Sequence, residues 1–404
     1  MHPSRLSPVI AIDLLRFACA MLVVAYHFDV AFWKVPTWRS AIMLAPARAG
    51  FAGNEVTRIG WIGVELFFVI SGLVIVRSAT GQTAALFLRR RALRLVPGAW
   101  ACAGLTAAAM ILSGLGDTVA VPLLRSLTFW PVGEQIDGSY WSLGIECSCY
   151  LVMAGAIGVG TKANTVERTA VAIGLLSTAF WATWLLVGRS IAPSPLDRYV
   201  MLALLPHGCF FAIGVLIAAC KNARSPGRVA LLGLFMLTAT VEIGFHALER
   251  AQAGVIASPV LALVAFLMGL ALLLSADRLQ PWLSRLIDPT TARTIGLLTY
   301  PLYLLHQDAG AAMLGALVAA GLSLRLAAGT TVAMMIVLAW LIATQFEPRL
   351  RHALTTALQS GLVSDKLSKF SQMWRSRNSR TPSASMSQRL GPESSQPVYH
   401  HHGR

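Results

Sequence analysis

The chain has 404 residues, of which 56% are hydrophobic and 13% charged, and it carries a net charge of +15. A soluble protein of this length needs far more polar surface, so the composition excludes that class and predicts an integral membrane protein. The excess of Lys and Arg falls in the predicted loops and the C-terminal tail. Membrane topology explains such a distribution, and we expect no nucleic-acid partner.

Apolar runs of membrane length recur about ten times along the chain, without the alternation typical of membrane barrels. We predict an all-α polytopic bundle with spans near 9–31, 59–77, 98–116, 141–160, 169–188, 199–220, 229–246, 255–275, 294–320 and 324–346. The distribution of Lys and Arg predicts that both termini are cytoplasmic. We expect three regions, which are a membrane domain at 1–346, a basic amphipathic juxtamembrane segment at 347–370, and a disordered basic tail at 371–404.

The first apolar segment contains Arg16 and His27. A charged side chain at bilayer depth costs ~2.5–3.5 kcal/mol on insertion scales, so it normally faces the protein interior and serves a function. Eleven residues at roughly 100° each bring His27 within about 20° of the face that carries Arg16. The two side chains predict a polar path along one side of this helix.

The second segment reads Gly63-Val64-Glu65-Leu66-Phe67-Phe68-Val69-Ile70-Ser71-Gly72 and contains a single carboxylate. Glu65 and His27 lie at matching depth on consecutive antiparallel segments. A carboxylate bonded to one imidazole nitrogen raises the basicity of the other nitrogen. The alternative is a structural polar pair that locks two helices together.

Four arginines fall within six residues after the second segment, namely Arg89, Arg90, Arg91 and Arg94. Guanidinium groups at this density form a phosphate-binding surface. The same cluster would also hold a loop on the cytoplasmic side, which is the alternative interpretation. If the segment is helical, Arg91 and Arg94 lie one turn apart and are able to grip one ligand together.

Two further segments carry polar groups beside apolar runs. Trp141, Ser142 and Glu146 open the fourth span, and Tyr303 and His306 lie in the ninth, where Pro301 loosens the helix. Glu242 and Asp308 are expected to approach the depth of Glu146 from other helices, and several acids at one depth with His27 predict a polar cavity. Each of them, taken alone, is also compatible with helix packing, and Trp141 with an interfacial aromatic belt.

Together these motifs resemble the acyltransferase-3 family, multi-pass enzymes that O-acylate bacterial surface and exported glycans. The resemblance rests on Asp13-Leu14-Leu15-Arg16, His27, Gly63 to Gly72, Arg89 to Pro97, Trp141 to Glu146, and Tyr303 to His306. The sequence departs from the family pattern at Glu65, where Asp is more common, and at Cys149, where an aromatic is usual. The resemblance implies a bacterial inner-membrane enzyme with a cytoplasmic acyl-CoA donor, an outer acceptor and an arginine pair matched by Arg91 and Arg94.

On this basis we predict an EC 2.3.1-type acyltransferase that moves an acyl group, acetyl in the first instance, to a glycan hydroxyl. The four clustered arginines would bind the phosphates of acetyl-CoA or another acyl-CoA, and the pantetheine arm would pass Arg16. His27 would act as general base or covalent carrier, oriented by Glu65, and activity would fall at acidic pH. The predicted catalytic residues are Arg16, His27 and Glu65, and the predicted substrate-binding residues are Trp141, Ser142, Glu146, Tyr303 and His306.

We expect no metal. The rival hypotheses are a transporter of a glycan, lipid-linked sugar or organic anion and a non-catalytic assembly subunit, since intramembrane Arg, His and Glu also line transport paths. The identity of the glycan and of the acyl group stays open.

Overall fold

A computed structural model describes residues 10–47, 49–79, 81–160, 164–187 and 197–359, with only the backbone described at Arg77. All regular secondary structure in these residues is helical, which confirms the predicted all-α class. The helices are α1 Ile10–Tyr26, α2 Trp38–Met43, α3 Glu55–Arg58, α4 Ile62–Ala79, α5 Ala84–Leu112, α6 Ala120–Thr128, α7 Tyr140–Val159, α8 Thr165–Val187, α9 Asp197–Leu202, α10 Gly208–Asn222, α11 Pro226–Gln252, α12 Pro259–Leu286, α13 Pro289–Leu305, α14 Asp308–Ala319, α15 Leu324–Leu341 and α16 Glu347–Gln359.

Seven helical stretches in the described part of the chain are long and apolar enough to cross a membrane. Their number rises to eight if α13 and α14 together form one span. Ile62–Val76 and Gly208–Asn222 are shorter apolar helices. All ten predicted spans overlap helices. The count of about ten spans and the cytoplasmic location of the termini stay predictions.

The predicted span at 294–320 is not one continuous helix. Its axis bends by 74° between α13 and α14. The bend lies at His306 and Gln307, whereas Pro301 remains inside α13. The sequence therefore predicted a weakened helix, but Pro301 lies about one turn before the observed bend.

Three long helices begin with the same device, a polar N-cap followed by proline. Ser225, Ser258 and Asp288 each accept a hydrogen bond from a backbone N–H of the first turn, and a proline occupies the next position. Proline suits that position because its missing N–H would have no partner there. Hydrogen bonds from Thr290 and Thr291 also hold the pKa of Asp288 below its ordinary value.

Glycines allow α4 and α10 to pack backbone against backbone. A Cβ atom at Gly214 would lie 2.0 Å from the carbonyl oxygen of Val69, and one at Gly72 would lie 2.2 Å from that of Phe211. Membrane helices associate through such small residues because close backbone approach maximises van der Waals contact. This crossing fixes the position of Glu65 on α4 relative to the start of α10.

The first compact unit of the chain ends at His352. Helix α16 covers the first part of the predicted juxtamembrane segment, and its first residue, Glu347, is buried. The remainder of that segment and the predicted tail lie outside the described residues. The three-region division of the chain stays a prediction.

We expect Gly214→Ala to lower the free energy of unfolding by about 1–3 kcal/mol, because the added methyl group overpacks the α4–α10 contact. Gly233→Ala is the matched control, since a Cβ there meets nothing within 4 Å. The control should stabilise its helix by up to ~1 kcal/mol. Thermal unfolding of both variants in detergent measures the difference, and equal melting temperatures would contradict the packing argument.

Candidate active site

A cavity of about 250 Å³ collects three of the predicted arginines. We call it the arginine cavity. Arg16 reaches it from α1, and Arg91 and Arg94 reach it from α5. Its remaining lining is Val64, Phe67, Phe68, Ile70, Ser71, Val74, Leu95, Ser142, Leu143, Glu146, Tyr150, Thr299, Tyr300, Tyr303 and Leu304. A largely apolar pocket with a few convergent charges is the usual form of a small-molecule site.

The two α5 arginines are held by stacking on aromatic rings. Arg91 lies 4.9 Å from the ring centroid of Tyr150 and donates a hydrogen bond to Ser78. Arg94 lies 5.4 Å from the ring centroid of Tyr300 and 3.6 Å from the carboxylate of Glu347. Stacked guanidinium planes keep their N–H edges directed, which suits recognition of phosphate or carboxylate.

Arg89 and Arg90 do not line the arginine cavity. The segment is helical, so Arg91 and Arg94 lie one turn apart on one face, and Arg90 is exposed. The predicted cluster of four arginines therefore divides into a pair inside the cavity and a pair outside its lining. The donor-binding roles of all four stay predictions.

Glu146 lines the arginine cavity. The sequence had predicted that it lies level with His27. Its carboxylate accepts hydrogen bonds from Ser71, at 2.9 Å, and from Tyr150. Glu146 lies nearly two turns into α7, and its predicted depth level with His27 stays a prediction. This carboxylate therefore helps to arrange the polar groups around the arginine pair.

The ring of His27 pairs with the ring of His306. His27 begins a π-helical turn, His27–Ala31, that continues α1, and such turns are frequent at functional sites. Its Nδ1 lies 3.0 Å from the carbonyl oxygen of Val23 and 3.1 Å from Nε2 of His306. The Nδ1 of His306 lies 2.6 Å from the carbonyl oxygen of Tyr303.

These contacts define the tautomers of both neutral rings. A carbonyl oxygen only accepts, so Nδ1 of His306 carries its proton and Nε2 of His306 is an acceptor. Nδ1–H of His27 then donates to the Val23 carbonyl and to His306. The Nε2 atom of His27 is left with a free lone pair, which is the form that a base or nucleophile needs.

Glu65 does not contact the His27 ring, contrary to the prediction that it orients this histidine. Its carboxylate lies 3.6 Å from Nδ1 of His207. Matching depth on neighbouring helices was not sufficient, because the two side chains point to different neighbours. His306 makes the contact with His27 that the sequence analysis assigned to Glu65.

The position of His306 depends on the break between α13 and α14. Asp137 accepts a hydrogen bond from the backbone N–H of Asp308, at 2.8 Å, and Asp308 accepts one from Gly138, at 2.7 Å. These reciprocal bonds attach the break to the loop before α7. Burial raises the pKa of Asp137, although hydrogen bonds from Ser139 act in the opposite direction.

A second cavity, of about 420 Å³, lies beside Glu65 and is called here the histidine–glutamate cavity. Trp141 lines it, whereas Ser142 and Tyr303 line the arginine cavity and hydrogen-bond to each other at 2.7 Å. The remaining lining is Arg39, Gly133, Glu134, Gln135, Gly138, Arg198, Met201, His207, His246, Glu249 and Arg250. Of the predicted substrate-binding residues, Trp141 lines this cavity, Ser142, Glu146 and Tyr303 line the arginine cavity, and His306 lines neither of the two. Their roles stay predictions.

The polar cluster beside this second cavity was not predicted from the sequence. Glu242 was expected only as one of the acids at the depth of His27, and His207 and His246 were assigned no role. The available signal was the spacing of Glu242 and His246, which places them on one face of a helix one turn apart.

The acyltransferase domain model of the acyltransferase-3 family matches residues 9–344. The chain belongs to the acyltransferase-3 family. This membership confirms the predicted family and indicates a membrane acyltransferase. No solved structure matches it.

A curated relative of this family member is the exopolysaccharide production protein ExoZ of Rhizobium meliloti strain 1021. The two are 33% identical over 117 residues, which is 26% of this chain and 36% of ExoZ. The chain thus spans about a third of the length of the curated relative that it matches.

We expect His306→Ala to lower kcat for acyl transfer by about 10–100-fold with little change in KM, because the His27 ring loses one of the two acceptors that hold its Nδ1–H and so its orientation. His306→Gln keeps an acceptor oxygen and should recover part of the loss. The measurement is the steady-state rate of each variant in membranes with matched protein levels. Equal losses in the two variants, or a loss confined to KM, would contradict a positioning role.

Proposed function

We propose that this chain is an inner-membrane O-acyltransferase that moves an acyl group from cytoplasmic acyl-CoA to a hydroxyl of an extracellular or exported polysaccharide. Family membership supports acyl transfer, and the name of ExoZ supports an exopolysaccharide as the acceptor class. The limited volume of the arginine cavity favours a short acyl group, and acetyl-CoA is the donor that we infer.

The arginine cavity supports the proposed donor site. Arg91 and Arg94 would bind the phosphates of CoA, with Arg89 and Arg90 nearby on the same helix. The Nε atom of Arg16 is buried without a hydrogen-bond partner, so this side chain retains a donor for a ligand. The pantetheine arm would lie along the apolar lining toward Ser142 and Tyr303.

His27 would perform the chemistry through Nε2. As a base, it takes the proton of the acceptor hydroxyl while that oxygen attacks the thioester carbonyl. The carbon–sulfur bond then breaks, and the CoA thiolate recovers the proton. As a covalent carrier, the same nitrogen attacks the thioester carbonyl and displaces the CoA thiolate. The glycan hydroxyl then attacks the acyl carbon, the bond to Nε2 breaks, and the thiolate receives the hydroxyl proton. His306 positions the ring in either route, because it accepts from Nδ1–H before and after Nε2 reacts.

The acceptor would approach from the histidine–glutamate cavity. Trp141 offers an aromatic face there, and aromatic rings are able to stack on sugars. Arg198 supports this wall, since its Nε donates to the carbonyl of Pro131 at 2.7 Å and Nη1 donates to that of Trp141 at 3.0 Å.

The observation that carries the proposal is the His27–His306 pair, which leaves one imidazole nitrogen of His27 free. We expect His27→Ala to reduce acyl-CoA consumption in the presence of glycan by at least about 100-fold, because general base or nucleophilic catalysis is lost. His352→Ala is the control, since this histidine is exposed and lies outside both cavities. Near-normal acylation by His27→Ala at equal membrane expression would overturn the proposal.

The arginine pair provides an independent test of the donor site. We expect Arg91→Ala and Arg94→Ala each to raise KM for acetyl-CoA by about 10-fold or more, because each removes a charge-assisted hydrogen-bond donor. Arg90→Ala is the matched control on the same helix, and its effect should stay under about threefold because exposed charges contribute little. The same KM shift in all three variants would indicate a general surface-charge effect and contradict a specific site.

A further inference from the structure

Three helical segments bring four metal-ligating side chains together beside the histidine–glutamate cavity. Glu65 comes from α4, His207 precedes α10, and Glu242 and His246 project from one face of α11. One ligand atom from each residue lies within 4.8 Å of the other three. The individual separations from Nδ1 of His207 are 2.6 Å to Glu242 and 3.6 Å to Glu65, and His246 Nε2 lies 3.7 Å from Glu242.

The atoms that face one another in this cluster have no hydrogen-bond partner. They are Glu65 Oε2, His207 Nδ1, Glu242 Oε1 and His246 Nε2, and each of these atoms is itself shielded from solvent. They lie within ion-pair distance of one another, yet none makes a hydrogen bond of standard geometry. Buried polar atoms nearly always make such bonds, so this convergence requires an explanation.

The outer contacts of the cluster are those typical of metal ligands. The Nδ1 atom of His246 lies 3.0 Å from the carboxylate of Glu249, which accepts a hydrogen bond from Nδ1–H. The Nε2 atom then has a lone pair available to the cluster. Cys209 donates its S–H to Oε2 of Glu242 at 3.5 Å, which leaves Oε1 free. Metal-binding histidines commonly donate their other ring N–H to a carboxylate in this way.

Charge also favours a cation at this point. Glu65 and Glu242 are 3% and 0% exposed, and two carboxylates at such burial are costly unless a positive charge lies between them. A tetrahedral Zn²⁺ site with bonds of ~2.1 Å has ligands roughly 3.4 Å apart, close to two of the three separations observed here. Two imidazoles with two carboxylates suit Zn²⁺ better than Mg²⁺ or Ca²⁺, which prefer oxygen ligands alone.

We propose that Glu65, His207, Glu242 and His246 bind one Zn²⁺ ion. This replaces our expectation that the protein has no metal. The ion would join α4, α10 and α11 at the wall of the histidine–glutamate cavity, through which it would enter. Phe68 separates it from the arginine cavity, since this side chain lines that cavity while its ring centroid lies 5.4 Å from that of His207.

The test is the metal content of the full-length protein, purified without a metal-affinity tag and with His400, His401 and His402 replaced by Ala throughout. After a brief EDTA wash and equilibration with Zn²⁺, we expect about one zinc per chain by mass spectrometry. We also expect Zn²⁺ to raise the melting temperature of EDTA-treated protein, because binding to the folded state alone stabilises it. Glu242→Gln and His246→Ala should lose both the zinc and the thermal shift.

His352→Ala is the matched control and should retain both. X-ray absorption at the zinc edge of the unsubstituted cluster provides a test that no folding defect affects. It should report nitrogen and oxygen ligands with imidazole scattering. The proposal is overturned by a sulfur shell, by zinc that persists in both cluster variants, or by the absence of bound zinc. The last result would mean that a protonated imidazole neutralises the carboxylates. None of these readouts depends on acyl transfer.

Discussion

Every charged group inside this bundle must find a partner or a cavity, because the low dielectric of a membrane protein makes an isolated charge costly. Among the described residues, three places that bring ionisable groups together bear on the proposed function. Arg91 and Arg94 stack on tyrosines beside an apolar cavity. His27 and His306 pair ring to ring. The third place contains Glu65, Glu242 and two further histidines, where the nearest atoms lack hydrogen-bond partners.

These three places are connected in space. Tyr303 lines the arginine cavity, and its backbone carbonyl accepts a hydrogen bond from Nδ1–H of His306. His306 in turn accepts a hydrogen bond from His27. Phe68 lines the same cavity, and its ring contacts His207. Tyr303 and His306 therefore link the arginine cavity to His27, and Phe68 lies between that cavity and the proposed zinc site.

Sequence patterns identified polar residues that converge in the fold better than they identified which of them contact each other. Arg91 and Arg94, predicted to bind the donor, and Arg16, predicted as catalytic, line one cavity. The pairing of Glu65 with His27 was wrong, because depth along a helix does not fix the direction in which a side chain points. The contacts of Glu146 with Ser71 and Tyr150 were not predicted for the same reason. His246 gave only a weak signal, the one-turn spacing from Glu242.

The sequence by itself determined the helical class, the approximate positions of the long helices, and the residues that carry the family resemblance. It was able to do so because hydrophobic runs and polar exceptions within them are local properties of the chain. Only the tertiary structure decided that α13 and α14 meet at a bend and that His306 contacts His27. It also gathered Glu65, His207, Glu242 and His246 from three helical segments. Those contacts depend on helix rotation and crossing, which glycines such as Gly72 and Gly214 set through backbone contact across the bundle.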